Sequence, residues 1–167
     1  MALRFEELIE RHHDEIFAYL WRLLGKDGRR QGSTDAEDLV QDVFLRAYEN
    51  FAGLRPNSNP RAWLYKIATH CAFNQLRRMK LRRERLSLLR HSETANQDSS
   101  SRNHMEQTLR ILVNELPPKQ RACVTLRYLQ DMDYPEIAVI LGCSQESARS
   151  NVYQAIRQLR RLIEEER

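Results

Sequence analysis

Apolar residues recur at spacings of three and four along most of the chain, which is the period of amphipathic α-helices. The first stripe stops at Gly25, a residue suited to a helix C-terminus. A second stripe follows Thr34, which forms a capping-box pattern with Glu37 three residues later. We therefore predict one helix that ends near Gly25 and another over residues 35–51. The residues expected to be buried are Phe5, Leu8, Ile9, Ile16, Phe17, Leu20 and Leu24 in the first helix, and Ala36, Leu39, Val43, Ala47 and Phe51 in the second.

A third, long helix is predicted after a loop at residues 52–59. Asn59 can cap this helix, and Pro60 suits its first turn. Residues 91–103 are polar, rich in Ser and without apolar period, which indicates a flexible interdomain linker. The buried stripe expected in the third helix is Leu64, Ile67, Ala68, Cys71 and Leu76.

The remainder of the chain ends in the pattern of a helix-turn-helix. An apolar stripe ends at Pro117 and Pro118, and a second helical pattern follows over residues 119–130. The first of these stripes contains Met105, Leu109, Leu112, Val113 and Leu116. Asp133 can then cap a short helix, and Pro135 suits its first turn.

The turn and the last helix complete this motif. Gly142 permits the tight turn, and Ser144 can cap a final helix that runs to about Glu165. Its expected buried seam is Ala148, Val152, Ala155 and Leu159. The predicted fold is all-α, with two small helical domains joined by a flexible linker, the second a helix-turn-helix. We place these parts at residues 1–88, 89–104 and 105–167.

Composition agrees with a soluble, mainly helical protein, because 30% of the residues are charged, 41% are apolar, and Gly and Pro number five each. The N-terminus has acids where a secretory signal needs an apolar core, and no stretch approaches the roughly 20 apolar residues of a membrane span. We expect a cytoplasmic protein without membrane insertion. Cys71, Cys123 and Cys143 lack the short spacing of a metal or redox pair and are expected to be packing thiols.

Charge is distributed unevenly along the chain. Residues 60–90 contain nine Lys or Arg against one acid, Glu84, whereas residues 34–51 contain five acids against Arg46. On the third helix, the basic residues share a side with aromatic residues, an arrangement typical of single-strand binding by stacking and phosphate contacts. The same pattern is compatible with Trp63 and Phe73 as core residues. The set is Trp63, Lys66, His70, Phe73, Asn74 and Arg77, continued by Arg78, Lys80, Arg82, Arg83 and Arg85.

The acidic second helix requires a different kind of partner, because DNA would be repelled by its carboxylates. Its polar side, formed by Glu37, Asp38, Gln41, Asp42 and Glu49, suits a basic protein, although it is also compatible with an ordinary solvated face.

The last helix is the candidate for duplex recognition. In a helix-turn-helix, the first turns of the second helix meet base edges in the major groove, although a charged helix at the end of a bundle has a similar pattern. Gln and Arg pair with adenine and guanine edges, and Glu accepts from cytosine. The residues expected at base edges are Gln145, Glu146, Arg149, Ser150 and Tyr153, with Arg157, Arg160 and Arg161 nearer to phosphates.

Catalytic chemistry finds no support in the sequence. Residues 12–15 read His-His-Asp-Glu, which lacks the HExxH spacing, and no glycine-rich phosphate loop occurs. We expect no enzyme, no metal and no cofactor, and we interpret His12 and His13 as partly exposed helix residues.

These segments, in this order, resemble the extracytoplasmic-function RNA polymerase sigma factors, within the sigma-70 family, over all but the linker and the last few residues. The matching segments are residues 35–44 (DAEDLVQDVF), 59–68 (NPRAWLYKIA), 75–78 (QLRR), 116–121 (LPPKQR) and 134–138 (YPEIA). The resemblance implies a first domain that binds core polymerase and melts the minus-ten element, and a second domain that reads the minus-thirty-five element as duplex.

The resemblance also implies partners and site residues. The partners are core RNA polymerase, through the clamp helices of its largest subunit and the flap of its second-largest subunit, promoter DNA, and an anti-sigma factor. The core-binding residues would be Glu37, Asp38, Gln41, Asp42 and Phe44. The minus-ten residues would be Asn57, Ser58, Asn59, Arg61, Trp63, Lys66, His70, Phe73, Asn74, Arg77 and Arg78. The minus-thirty-five residues would be Ser144, Gln145, Glu146, Ser147, Arg149, Ser150, Tyr153 and Arg157.

The sequence departs from the family pattern at a few positions that bear on base preference. Thr69 and His70 stand where Arg and Asn are common, and Asn74 stands where Asp is frequent. Asn151 and Gln154 replace Arg in the recognition helix. Two rival interpretations are a stand-alone helix-turn-helix regulator, which would bind duplex DNA unaided, and a polymerase-binding decoy, which would direct no initiation.

Overall fold

The computed structural model describes residues 4–25, 34–89 and 104–165, without the side chains of Thr34 and residues 104–107. Within these ranges the chain forms seven α-helices and no β-strand, so the all-α prediction is confirmed. Most of the expected linker lies outside the described residues. The helices are α1 (Phe5–Leu24), α2 (Thr34–Phe51), α3 (Pro60–Ser87), α4 (His104–Asn114), α5 (Pro118–Tyr128), α6 (Tyr134–Leu141) and α7 (Gln145–Glu165).

Local capping interactions set most of the helix ends that the sequence predicted. Helix α1 ends at Gly25, which has a φ of 59°. Asn59 Oδ1 accepts a 3.1 Å hydrogen bond from the Ala62 amide at the start of α3. Helix α2 begins at Thr34, one residue earlier than expected, and the predicted Thr34 cap lies outside the described side chains.

The helix-turn-helix is confirmed with its predicted caps. Asp133 and Glu136 form a reciprocal capping box at the start of α6. Gly142 adopts the left-handed conformation, with a φ of 62°, and Ser144 Oγ accepts a 3.1 Å hydrogen bond from the Ser147 amide. The turn therefore has the geometry that its glycine and serine predicted.

The predicted apolar stripes are buried over most of their length, and the Met105 side chain lies outside the described residues. The predicted positions that are only partly buried are Phe5, Ile9, Phe17, Phe51, Ile67, Leu76 and Val113. Leu109 is 49% exposed, because α4 contacts mainly α7 and leaves its outer side to solvent. The fully or nearly fully buried predicted positions are Leu8, Ile16, Leu20, Leu24, Ala36, Leu39, Val43, Ala47, Leu64, Ala68, Cys71, Leu112, Leu116, Ala148, Val152, Ala155 and Leu159.

The two halves of the chain pack against each other and share one hydrophobic core. Helix α3 lies against α6, and α1 lies against α5. The core joins Leu64 and Ala72 of α3 to Leu126, Met132 and Ile137 of the second half, all of which are buried. The sequence predicted two domains joined by a linker, and it did not predict this common core.

A group of four polar residues, which we call the interdomain cluster, lies where the two halves meet. Arg61 donates to Glu15 Oε2 over 2.9 Å and to the backbone carbonyl of Gln130 over 3.2 Å. The Tyr65 hydroxyl donates to Gln130 Oε1 over 2.7 Å. Burial alone would raise the pKa of Glu15, but hydrogen bonds from Arg61 and His12 outweigh it and lower that pKa. Glu15 is therefore held as a carboxylate beside the guanidinium.

Arg121 makes a second polar connection between the halves. Its buried guanidinium donates to the carbonyl groups of Leu23 (2.7 Å), Asn114 (2.7 Å) and Leu116 (3.0 Å). These carbonyls lie at or just beyond the C-terminal ends of α1 and α4, where the helix itself supplies no amide partner. One side chain thus satisfies the ends of two helices.

The histidine and cysteine predictions had mixed outcomes. His13 is exposed, but His12 is buried, and its Nδ1 is hydrogen-bonded to Glu15 Oε1. The expectation of partial exposure was wrong for His12, which lies on the buried side of α1 with Leu8 and Ile16. All three cysteines are free thiols, with Cys71 and Cys123 buried and Cys143 partly buried.

None of the described helices combines the length and apolar character needed to cross a bilayer.

Candidate functional site

The first surface is the polar side of α2. The side chains of this surface follow one side of the helix and are all exposed, while α1 and α3 cover the opposite side. They are Glu37, Asp38, Gln41, Asp42 and Glu49. Phe44 is only 8% exposed and stacks on the ring of His13 at 5.8 Å. The structure therefore groups the four polar core-binding candidates together and places Phe44 in the core behind them.

Two exposed apolar residues extend this surface, and the sequence analysis missed both. Leu45 is 58% exposed and Tyr48 is 65% exposed. The signal was available, since both fall outside the buried α2 stripe. With Asp42 and Glu49 one turn away on either side of Leu45, the surface combines negative charge with apolar area, a composition suited to protein rather than to DNA.

The second surface is the loop at residues 52–59 and the start of α3. Asn57 is exposed, and Ser58 donates a hydrogen bond to the Arg55 carbonyl over 2.6 Å. Asn59 caps α3 and also donates from Nδ2 to Glu136 Oε1 over 3.0 Å, which ties the loop to the cap of α6. Arg61 is engaged in the interdomain cluster. Two of the minus-ten candidates are thus bonded across the two halves.

Further along α3, aromatic and basic candidates line one groove of about 950 Å³. Lys66 and His70 are exposed, whereas Trp63 and Phe73 are half-buried and contact the hydrophobic core. Each ring packs against the core and also lines the groove, so the interpretation as core residues holds in part and single-strand binding stays a prediction. The other walls contain Ile140 and Leu141 of α6 and residues of α2, among them Asp42 and Glu49, so the groove adjoins the acidic α2 surface. Asn74 is partly buried, and Arg77 and Arg78 are exposed beyond the groove.

The third surface is the first half of α7, one side of which the other described helices leave open. Most candidates there are exposed, and Ser147 is partly buried. The Ser147 amide donates to Ser144 Oγ in the helix cap, and its carbonyl accepts a 2.9 Å bond from Asn151. The exposed set is Ser144, Gln145, Glu146, Arg149, Ser150, Tyr153 and Arg157. The structure therefore brings the predicted duplex-reading residues together on one exposed helix face.

The substituted family positions on α7 have defined partners. Asn151 donates to the Ser147 carbonyl, and Gln154 donates to Ser150 Oγ over 3.3 Å. Gln154 Oε1 also accepts from Gln120 of α5 over 3.2 Å. Both side-chain amides are therefore used in hydrogen bonds within the domain. Among the described residues, no three His, Cys, Asp or Glu side chains are placed to share a metal ion.

Two family models match the parts of the chain that contain these surfaces. Residues 8–82 match the family model described as Sigma-70 region 2, and residues 106–159 match the model described as Sigma-70, region 4. The chain is 31% identical over 161 residues to RNA polymerase sigma factor YlaC of Bacillus subtilis, with 93% of this chain and 90% of YlaC covered.

A second relative and a solved structure are also sigma factors. The chain is 27% identical over 161 residues to the ECF RNA polymerase sigma factor SigE of Mycolicibacterium smegmatis, covering 93% of this chain but only 60% of SigE. Among solved structures, the sigma factor RpoE of Bartonella quintana, crystallised with the anti-sigma factor NepR, has the same fold, with a TM-score of 0.75, 23% identity and 98% of both chains covered.

Proposed function

The chain belongs to the sigma-70 family of RNA polymerase sigma factors, in its extracytoplasmic-function group, and we propose which of its surfaces performs each step of promoter-specific initiation. Sigma factors are non-catalytic initiation factors that bind core polymerase and promoter DNA. The α2 surface would bind polymerase, the α3 groove the minus-ten element and the α7 face the minus-thirty-five element. The place of action is then the cytoplasm, where polymerase is found.

The α2 surface is assigned to the clamp helices of the largest polymerase subunit. The observation that supports this most is that Asp38, Gln41 and Asp42 are all exposed on one side of a helix whose other side is buried. Exposed carboxylates that repel DNA favour a basic protein partner and accelerate its association. Leu45 and Tyr48 add apolar area to the same surface. The second domain would bind the flap of the second-largest subunit.

The α3 wall of the groove, rather than its acidic α2 wall, is assigned to the melted minus-ten element. Trp63 and Phe73 offer rings for stacking with unpaired bases, which contributes about 1–3 kcal/mol per base. Lys66, His70 and the arginines that follow provide hydrogen-bond donors to phosphates. The loop at residues 52–59 would hold a flipped base. Asn59 and Arg61 are bonded across the two halves, so those bonds would have to rearrange before these two side chains could contact the promoter.

The α7 face is assigned to the duplex minus-thirty-five element. Gln145, Glu146 and Arg149 lie in the first turns of α7, where a recognition helix meets base edges. Ser150 and Tyr153 are on the same exposed side, and Arg157 lies one turn further on, nearer to phosphates. We retain the division into a polymerase-binding and minus-ten domain at residues 1–88, a linker at 89–104 and a minus-thirty-five domain at 105–167.

A further partner of this chain would be an anti-sigma factor. The RpoE structure was solved as a complex with such a protein. In this chain, the exposed acidic surface of α2 and the groove beside α6 are the surfaces that such a protein would need to cover to block polymerase and promoter together.

Run-off transcription tests the proposal. The purified chain, mixed with core polymerase and a genomic fragment library, is expected to initiate at specific sites. Asp38→Arg and Asp42→Arg should each lower affinity for core polymerase by about tenfold or more, since reversal of a contact charge costs several kcal/mol. Glu164→Arg is the matched control, because it makes the same charge change at an exposed position far along α7.

Each outcome separates this proposal from its rivals. Wild-type chain that fails to bind core polymerase would contradict it, and so would reversed variants with native circular dichroism and unchanged core affinity. A stand-alone regulator would bind duplex DNA as well without polymerase as with it. A decoy would bind core polymerase but give no run-off product.

A further inference from the structure

We propose that Tyr134 is a positioning residue for promoter recognition, because its ring fixes the guanidinium of Arg149 at the start of the recognition helix. Tyr134 would thereby determine how strongly the chain discriminates at the base pair that Arg149 reads. The inference rests on the assignment of α7 to the minus-thirty-five element and goes beyond it, since Tyr134 belongs to α6 and is outside the set of residues assigned to base contacts.

The geometry centres on one ring and two arginines. The guanidinium carbon of Arg149 lies 5.2 Å from the centroid of the Tyr134 ring, and that of Arg127 lies 5.1 Å from the same centroid. Both distances are within the range of cation–π attraction. Arg127 comes from α5, Tyr134 from α6 and Arg149 from α7, so the contact joins all three helices that surround the turn.

The ring itself is firmly placed by local structure. Tyr134 is the first residue of α6 and directly follows Asp133, whose capping box with Glu136 sets the start of the helix. The ring is partly buried and packs against the hydrophobic core. Arg127 is anchored as well, because its Nη1 donates to the Met132 carbonyl over 2.9 Å. Tyr134 and Arg127 are therefore fixed parts of the scaffold.

Arg149 is the member of this group that is free to face DNA. Its side chain is exposed, and it lies on the side of α7 that carries Gln145 and Tyr153. An exposed arginine samples many rotamers and loses that freedom when it pairs with a guanine edge. Because the Tyr134 ring restrains the guanidinium before DNA arrives, part of this cost is met in the free protein, and the correct base pair gains more than an incorrect one.

The test uses selection from a duplex library randomised across the minus-thirty-five region. Holoenzyme formed with wild type, Arg149→Ala, Tyr134→Leu, Tyr134→Phe or the Tyr134→Leu and Arg149→Ala pair binds the library, and the bound DNA is sequenced. We expect Arg149→Ala to flatten base preference at one position. Tyr134→Leu should reduce preference at that same position by roughly twofold to fivefold, the range of a cation–π contact at an exposed site.

The control variants separate positioning from a structural role. Tyr134→Phe keeps the aromatic face and should retain wild-type preference. The double variant should be no flatter than Arg149→Ala alone, because the ring acts only through Arg149. Loss of preference at every position in Tyr134→Leu would indicate a general disturbance of the domain and overturn the inference. Equal loss in Tyr134→Phe would overturn it too, since the hydroxyl rather than the ring would then be responsible.

Two results would contradict the assignment of α7 to the minus-thirty-five element itself. If Arg149→Ala leaves base preference unchanged, or if wild-type holoenzyme enriches no sequence, the α7 assignment fails and the Tyr134 inference fails with it. If Arg149→Ala flattens one position and Tyr134→Leu does not, the α7 assignment stands and the role of Tyr134 alone is rejected.

Discussion

The Tyr65 hydroxyl donates a 2.7 Å hydrogen bond to Oε1 of Gln130, which lies 65 positions further along the chain. Tyr65 is completely buried in α3, and Gln130 is only 8% exposed in the turn after α5. Without this hydrogen bond, the buried Tyr65 hydroxyl and Gln130 Oε1 would lose their contacts with water and gain no hydrogen-bond partner. The bond therefore identifies the contact between the domains as a packed interface with its own polar specificity.

Tyr65→Phe should weaken this interface. The substitution keeps the ring but leaves Gln130 Oε1 without its donor, which costs about 1–2 kcal/mol for a buried group. We expect a lower free energy of unfolding in urea and a larger radius of gyration by small-angle X-ray scattering. Tyr48→Phe is the matched control, because the Tyr48 side chain is 65% exposed and loss of its hydroxyl should change stability by less than about 0.5 kcal/mol.

The packed interface between the two halves should also weaken in acid, because Glu15 becomes protonated. The pKa of Glu15 is lowered from its usual value of 4.5, since the hydrogen bonds from Arg61 and His12 outweigh the effect of burial. A lowered pKa means that Glu15 contributes stability above pH 4.5, and that this contribution is lost as the pH falls through the folded-state pKa. We expect the free energy of unfolding, measured by denaturant titration between pH 6 and about pH 3, to fall more steeply with pH in wild type than in Glu15→Gln.

A second neutralised variant serves as control for the acid prediction. Glu10 is exposed on the same helix, and Glu10→Gln should retain the wild-type dependence on pH. Identical pH profiles for wild type and Glu15→Gln would show that the Glu15 carboxylate does not stabilise the interface.

Gly25→Ala should destabilise the chain for two reasons. Gly25 has a positive φ of 59°, and a Cβ there would lie 2.6 Å from Nη1 of Arg121. With a ψ of −139°, this backbone conformation is one that L side chains rarely adopt and costs about 1–3 kcal/mol for Ala, and displacement of Arg121 would break its bond to the Leu23 carbonyl. Gly142 has a φ of 62° and a ψ of 42°, the left-handed region, with open space around it, so Gly142→Ala measures a milder backbone strain without a steric clash. Thermal unfolding should place Gly25→Ala below Gly142→Ala, and the reverse order would contradict the role of Arg121.

The three thiols should differ in reactivity. Burial raises the pKa of Cys123 to about 12, so roughly one thiol in 10,000 is ionised at pH 8. Cys71 is also buried, and its pKa is raised for the same reason, whereas Cys143 is partly exposed. Iodoacetamide at pH 8 should therefore modify Cys143 first in the native chain and all three residues in urea. Equal native labelling of Cys123 and Cys143, read by mass spectrometry, would refute the burial of Cys123.

Local features were predictable from the sequence because they depend on residues close together in the chain. Three helix caps show this: the side chains of Asn59, Asp133 and Ser144 each accept a hydrogen bond from the backbone amide three positions further along. Gly142 supplies the turn conformation between α6 and α7. The buried seam of α7 followed from helical period alone. The exposed polar side of α2 was the complement of its apolar stripe and was predicted in the same way.

Features that depend on distant partners were not predictable. Thr69 was grouped with the departures from the family pattern, yet it is buried, donates to the Tyr65 carbonyl and is hydrogen-bonded to Tyr19, 50 positions away. Tyr65 broke no sequence rule, but its partner Gln130 is near only after the chain folds. Helix α3 is covered by α1 and α2 on one side and by α6 on another, so a single stripe could not describe its buried residues.

The interdomain cluster also limits how this chain can be recombined with its relatives. A chimaera that takes its second domain from another sigma factor would retain Arg61 and Tyr65 but lose Gln130, unless the donor has an equivalent carbonyl and amide at the same turn. Arg61 and Tyr65 would then be buried against an unmatched surface. Exchange of promoter specificity between such proteins therefore requires that these interface residues be transferred together with the recognition helix.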